Sequence, residues 1–320
     1  MSALQRLGLD RQNQAPKTEH SATQTQTRDT FGFKWARRDT YESDSVKEAS
    51  RAWLLERYCS GEPNQLSSWL AGGRKIILDA GCGAGFSALL FFGDHLKNHD
   101  YLGVDISDAV EVARTRFAEQ GYPGDFLQCS LTGLPIPDAS LDLIFSEGVL
   151  HHTDSTEHAI QYLATKLKPG GRFLFYVYAK KAVMREFTDD HIRNQLQPLS
   201  DEDAWKALEP LTKLGVELGK LDCEIEVPED IPYLGIKKGR LNLQRFFYWN
   251  ICKTYYRPEY TLDEMNHVNF DWFRPLNCHR QTPEEVHQWV AEAGMEIEHM
   301  DVQEAGITVV ARKPTARITS

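Results

Sequence analysis

Ile76-Ile77-Leu78-Asp79-Ala80-Gly81-Cys82-Gly83-Ala84-Gly85-Phe86-Ser87 is the stretch from which the fold is read. An apolar run ending in an acid has the pattern of a buried parallel strand. Three glycines at alternate positions then lead into an apolar segment compatible with a helix. Glycine takes positive φ and lets a ligand approach the main chain where a Cβ would collide. A strand, a glycine turn and a helix in that order therefore point to a small-molecule site at a strand end.

Outward from this turn the chain alternates strand-like and helix-like segments, the signature of an α/β domain with a parallel sheet. Strands are predicted over 75–79, 101–105, 125–129, 141–146 and 172–178, with a final pair over 296–303 and 307–312. Asp105 ends the second strand about 20 residues beyond the glycine turn, the spacing at which an acid reaches ribose hydroxyls. Between the fifth strand and the helix opened by Thr282-Pro283-Glu284-Glu285 the rhythm stops, and a mostly helical, aromatic insertion takes its place.

Six segments are expected. Residues 1–28, rich in Gln, Thr and charge, read as a disordered tail. Residues 29–70 form an N-terminal helical and aromatic lid, 71–180 a cofactor-binding core, 181–275 a cap for substrate, 276–313 the rest of the core and 314–320 a second tail.

Composition narrows the function. The 320 residues are 41% hydrophobic and 26% charged, ordinary for a globular protein, and the net charge of −10 argues against non-specific nucleic-acid binding. The six cysteines are scattered without a CxxC pair, so no metal site and no disulfide framework is signalled. No apolar run approaches the roughly 20 residues of a membrane span, and no signal peptide is seen; a cytoplasmic protein without membrane contact is expected.

Taken jointly, Asp79-x-Gly81-x-Gly83-x-Gly85, Asp105, the Leu134-Pro135 loop, Leu141-Asp142 and Leu167-Lys168-Pro169-Gly170-Gly171 resemble the class I S-adenosylmethionine-dependent methyltransferases. The resemblance implies a Rossmann-like sheet of seven strands with the last pair antiparallel. It implies S-adenosylmethionine as cofactor and S-adenosylhomocysteine as product. Asp79, Gly81, Gly83 and Gly85 would line the cofactor, Asp105 would hold the ribose, and Ile106 would pack on adenine. Ser130 and Leu131 would flank adenine from the loop after the third strand, and Glu147 would close the site from the fourth. Ser130 departs from the acid that many relatives place there, but its hydroxyl still accepts a hydrogen bond. The competing nicotinamide dinucleotide usually has a GxGxxG turn facing a pyrophosphate; here the glycines read GxGxG behind an acid, which suits a cationic sulfonium better.

Methyl transfer is an in-line displacement at an activated methyl, so the protein must mainly align the acceptor. His151 and His152, just past the fourth strand, are the candidate bases for a hydroxyl acceptor, although such a pair also suits a structural role. Trp35 and Tyr41, with Phe33, would enclose the site from the N-terminal side. Arg185 and Asp190, the aromatic pair Tyr248 and Trp249, and Arg274 and His279 are the candidate substrate contacts. Surface pairing for Arg185 and Asp190, and cap-to-core stitching for Arg274, stand beside that reading. The expected function is methylation of a small or medium-sized metabolite, most readily at oxygen, with no nucleic-acid partner and a homodimer contact through the cap. Nucleic-acid or protein methylation and a non-catalytic cofactor-binding module are the alternatives.

Overall fold

The structure, a computed structural model, describes residues 2–9 and 20–315. A helical turn α1 (Ala3–Arg6) and the helices α2 (Ala22–Ala36), α3 (Asp44–Cys59) and α4 (Pro63–Leu70) precede the sheet. The core then runs β1 (Ile76–Ala80), α5 (Phe86–Phe92), β2 (Asp100–Asp105), α6 (Ala109–Glu119), β3 (Asp125–Gln128), β4 (Leu141–Glu147), α7 (Thr156–Lys166) and β5 (Leu167–Tyr178). The cap follows as α8 (Val183–Leu196), α9 (Asp201–Lys220), a hairpin of β6 (Glu224–Val227) and β7 (Gly239–Asn242), α10 (Leu243–Asn250) and α11 (Leu262–Phe273). The chain returns to the core with α12 (Pro283–Glu292), β8 (Glu296–Val302) and β9 (Gly306–Arg312).

The sheet has seven strands in the order β3-β2-β1-β4-β5-β9-β8. Strands β1 to β5 are parallel; β9 lies antiparallel to both β5 and β8. This is the Rossmann-like arrangement of seven strands that the methyltransferase resemblance implies, on the α/β pattern expected from the alternation. The chain leaves β1 toward β2 on one side and returns on the other as β4, so a crevice opens beyond the carboxyl ends of β1 and β4. Every residue of β1 is buried, which explains the lack of polar alternation in Ile76-Ile77-Leu78. β5 starts earlier than predicted: Leu167 pairs with Leu141, and Gly170 and Gly171 lie in a register shift before regular pairing resumes at Arg172.

Where described, the N-terminal segment departs from the expected tail. Ala3, Leu4 and Leu7 are buried in the core cluster, and the Leu4 N–H donates to Asp125 at 2.9 Å. Helix α2 buries Gln24, Thr27, Thr30 and Lys34, a polar stripe at helical spacing. Thr27 Oγ1 accepts from the Asn277 N–H at 3.1 Å, Gln26 Oε1 from the Leu276 N–H at 2.9 Å, and Gln24 donates to the His152 carbonyl at 3.2 Å. The helix docks by satisfying main-chain groups, so a search for apolar periodicity passes it by. Residues 10–19 of the expected first tail and 316–320 of the second lie outside the described residues.

Candidate active site

The crevice is a cavity of about 500 Å³ that runs from the carboxyl ends of β1, β2 and β4 to a chamber under the cap. Its sheet end is lined by Gly81, Asp105, Ile106, Ser130, Leu131, Thr132, Glu147 and Val149. Gly81 has φ +86°, and a Cβ there would lie 2.2 Å from a Val149 methyl. Gly83 has φ +49°, and its Cβ would lie 2.6 Å from Trp35 Nε1, so the indole from α2 rests directly on the turn. Asp79, Gly83 and Gly85 underlie this end and do not line it. Asp105 holds the turn closed, accepting from the Gly83 N–H at 2.8 Å and from the Ser107 N–H and hydroxyl at 2.8 and 2.7 Å.

Two buried carboxyls, Asp79 and Asp105, and the partly buried Glu147 converge here. Asp79 accepts from Tyr101 Oη at 2.7 Å and Glu147 from Tyr58 Oη at 2.5 Å; among the described residues no lysine or arginine forms an ion pair with Asp79, Asp105 or Glu147. The nearby Arg57 guanidinium donates instead to Thr308 and Gln303 and lies over the Trp53 ring. Burial pushes Asp79 up to about 7 and Glu147 up to about 8, with the hydrogen bonds opposing the shift. Burial also raises Asp105, against the donors it accepts from.

The cap end is lined by Phe31 and Trp35 from α2, Tyr41 from the α2–α3 connection, Tyr176 and Tyr178 from β5, and Tyr248, Lys253, Tyr255, His267 and Asp271 from the cap. Trp35 and Tyr41 meet edge to face at 5.1 Å. Phe33 points away into the cap core against Phe270. Asp271 is ion-paired with Lys34 and accepts from Tyr178 Oη at 2.7 Å.

The two histidines part company. His152 lines the cavity; its Nδ1 lies 2.6 Å from the Asn277 carbonyl, which makes Nδ1 the donor and leaves Nε2 its lone pair. Burial lowers His152 to about 4, so the ring is neutral. His151 is fully buried, stacks on Tyr178 at 3.7 Å and is absent from the lining, so it is not placed to touch an acceptor.

Most of the polar residues expected to contact substrate do not reach the cavity. Arg185 pairs with Asp189 and donates to the Tyr248 carbonyl inside the cap. Asp190 binds Arg193 and Arg280. Arg274 donates to Asp201 and to the Leu196 and Leu199 carbonyls, tying α11 to the start of α9. His279 lies in a separate surface groove with its Nε2 3.0 Å from the Thr153 carbonyl, and Trp249 packs on Tyr248 outside the lining. Short-range charge patterns in the sequence do not tell internal struts from ligand contacts. Lys253, His267 and Asp271 were missed as contacts; a lone lysine in Ile251-Cys252-Lys253-Thr254-Tyr255 was the one visible signal.

Residues 78–175 match the family model described as "Methyltransferase domain". Over 116 residues the chain is 34% identical to the probable tRNA methyltransferase 9B of Mus musculus, covering 35% of this chain and 24% of that protein. It is 32% identical over 140 residues to the uncharacterized methyltransferase YcgJ of Bacillus subtilis (41% and 54% covered). With the tRNA U34 carboxymethyltransferase of Hydrogenovibrio crunogenus it shares 36% over 107 residues (32% and 31% covered). The chain thus spans about a quarter of the first relative's length. Among solved structures, the magnesium protoporphyrin IX methyltransferase of Synechocystis overlaps 91% of this chain and 99% of its own at 14% identity and TM-score 0.49. The expectation of no nucleic-acid partner is overturned by the two relatives named for tRNA. Net charge averages over the whole surface, whereas an acceptor is gripped locally, so an acidic balance does not exclude such a substrate. Among the described residues no helix is long and apolar enough to cross a membrane.

Proposed function

We propose that this chain, which belongs to the class I S-adenosylmethionine-dependent methyltransferases through its domain at residues 78–175, transfers a methyl group from S-adenosylmethionine to an oxygen of an organic acceptor seated under the cap. The observation that carries the reading is the set of three carboxyls at the glycine turn, Asp79 and Asp105 buried and Glu147 partly so, with which no lysine or arginine among the described residues forms an ion pair and which therefore suits a positively charged ligand. S-adenosylmethionine, when bound, supplies a methyl already activated on a sulfonium. Asp105 retains lone-pair capacity for ribose hydroxyls after accepting from Gly83 and Ser107. Ile106, Ser130 and Leu131 bound the adenine side, and Glu147 closes the end nearest the chamber.

Trp35 and Tyr41 cover the turn and exclude water, which strengthens each polar contact beneath them. His152, neutral and with no hydrogen-bond partner at Nε2 among the described residues, is the group that takes a proton from an acceptor hydroxyl. A cavity of about 500 Å³ shared between cofactor and acceptor suits a compact acceptor group, of a free metabolite or of a nucleoside of tRNA.

The test is calorimetric titration with S-adenosylhomocysteine, followed by incubation with methyl-labelled S-adenosylmethionine and, in separate arms, a metabolite extract and total tRNA. Micromolar binding and label in one arm are expected; no binding of either cofactor form would overturn the proposal. His152→Ala should lower turnover by about 10²–10⁴-fold with cofactor affinity retained, and an unchanged rate would remove the base assignment.

A further inference from the structure

Residues 252–257 have no regular secondary structure, yet their main chain is pinned at successive groups. The Lys253 N–H donates to Asp189 at 3.1 Å, the Thr254 carbonyl accepts from Gln244 at 2.7 Å, and the Tyr255 N–H donates to Asn269 at 3.1 Å. Asp189 is itself fixed by Arg185 at 2.5 Å and by the Trp272 indole at 2.7 Å. The result is an extended run in which Lys253, Tyr255 and Arg257 line the cavity while Cys252 and Thr254 are buried away from it.

Lys253 is 6% exposed, and its ammonium, 5.0 Å from the Trp272 ring, has no hydrogen-bond acceptor and no ion-pair partner among the described residues. The other lining charges are accounted for. Lys34 and Asp271 pair with each other, Asp154 accepts from Ser21 and Asn277, Asp105 has three donors, Glu147 has Tyr58, and Arg257 sits at the more open end near Glu259. A buried ammonium left without an acceptor costs stability, and an anion brought by a ligand relieves that cost.

We propose that the acceptor carries an oxyanion group, a carboxylate or a phosphate, held by Lys253, with Arg257 drawing it in and Tyr255 beside it, so that a hydroxyl of the same molecule is presented for methylation. Lys253 is then the residue that selects the acceptor. The inference rests on the methyltransferase reading for its hydroxyl, but anion binding is measured separately from cofactor binding.

The experiment uses the full chain saturated with S-adenosylhomocysteine and follows thermal stabilisation by benzoate, phenyl phosphate and the neutral isostere benzamide. Benzoate or phenyl phosphate at millimolar concentration should raise the melting temperature by several degrees and benzamide by much less; which anion acts better separates the two sources of charge. Lys253→Met should lose at least tenfold in apparent anion affinity and Lys253→Arg should regain part of it, with S-adenosylhomocysteine affinity unchanged within twofold in both. Equal stabilisation by benzamide, or full retention of the anion effect in Lys253→Met, would overturn the proposal. Failure of S-adenosylhomocysteine to bind the unaltered protein would instead count against the proposed function, with the anion titration still readable on the free chain.

Discussion

Glu147 and Lys253 both line one cavity and are both displaced by burial, in opposite directions because the cost falls on the charged form of each. Glu147, raised from 4.5 to about 8, binds more protons folded than unfolded between those values, so its contribution to stability falls as pH rises through that window. A cation arriving at the site favours the ionised carboxylate and expels the proton. S-adenosylmethionine affinity should therefore rise with pH, approaching about tenfold per unit below about 8, and level off above it. Glu147→Gln should reduce the slope of the calorimetric profile between pH 7 and 9, leaving the part that Asp79 contributes near 7; a flat profile in the unaltered protein would separate Glu147 from the cofactor. Lys253, lowered from 10.5 to about 7 by burial and by repulsion from Arg185, is bound by more protons unfolded than folded between those values. The unliganded protein should gain stability as pH rises across that range. Lys253→Met should raise the melting temperature at pH 7 and lose that advantage toward pH 10.5, because the group facing Asp189, Asp271 and Cys278 is then neutral in both states.

At the scale of elements, α2 has the unusual burden, since it roofs the site with Trp35 yet is held by glutamine and threonine contacts to 274–277. Thr27→Val keeps the shape but removes the acceptor of the buried Asn277 N–H, which costs about 1–3 kcal/mol. At about 2 °C per kcal/mol for a chain of this size, differential scanning calorimetry should show a drop of about 2–6 °C, with Thr27→Ser close to the unaltered protein. A Thr27→Val melting point within a degree of normal would mean that α2 is held by other contacts. The strands were legible because β1, β4 and β5 are apolar runs bounded by Gly, Pro and acids, and their existence depends on local pattern. The polar docking of α2 and the irregular run at 252–257 were not legible, because each depends on a partner distant in sequence: 277 for residue 27, and 189 and 269 for residues 253 and 255.

Over the whole molecule, the core offers the sheet end of the cavity and the cap offers the chamber, with α2 and α3 closing the side between them. A ligand at the sheet end lies against the Trp35 and Tyr41 cover and adds contacts to it. Hydrogen exchange should then slow over residues 22–41 when S-adenosylhomocysteine binds, while the β6–β7 hairpin, which does not line the cavity, stays unchanged. Protection confined to the sheet end, with no change over 22–41, would show that α2 is a fixed wall.

The amino-acid sequence by itself determined the sheet and the glycine turn with its acids, and its resemblance to the class I methyltransferases implied the methyl donor. These are short-range features, a charge or a missing Cβ at fixed spacing from a strand end. Tertiary structure decided the acceptor end. It turned Arg185 and Arg274 into internal struts and Asp190 into a partly exposed one, buried His151 while leaving His152 on the cavity, and brought Lys253 to the wall without an ion-pair partner among the described residues. The physical reason is that a charged side chain is strut or ligand contact according to whether folding supplies its counter-charge, and that supply comes from residues far away along the chain.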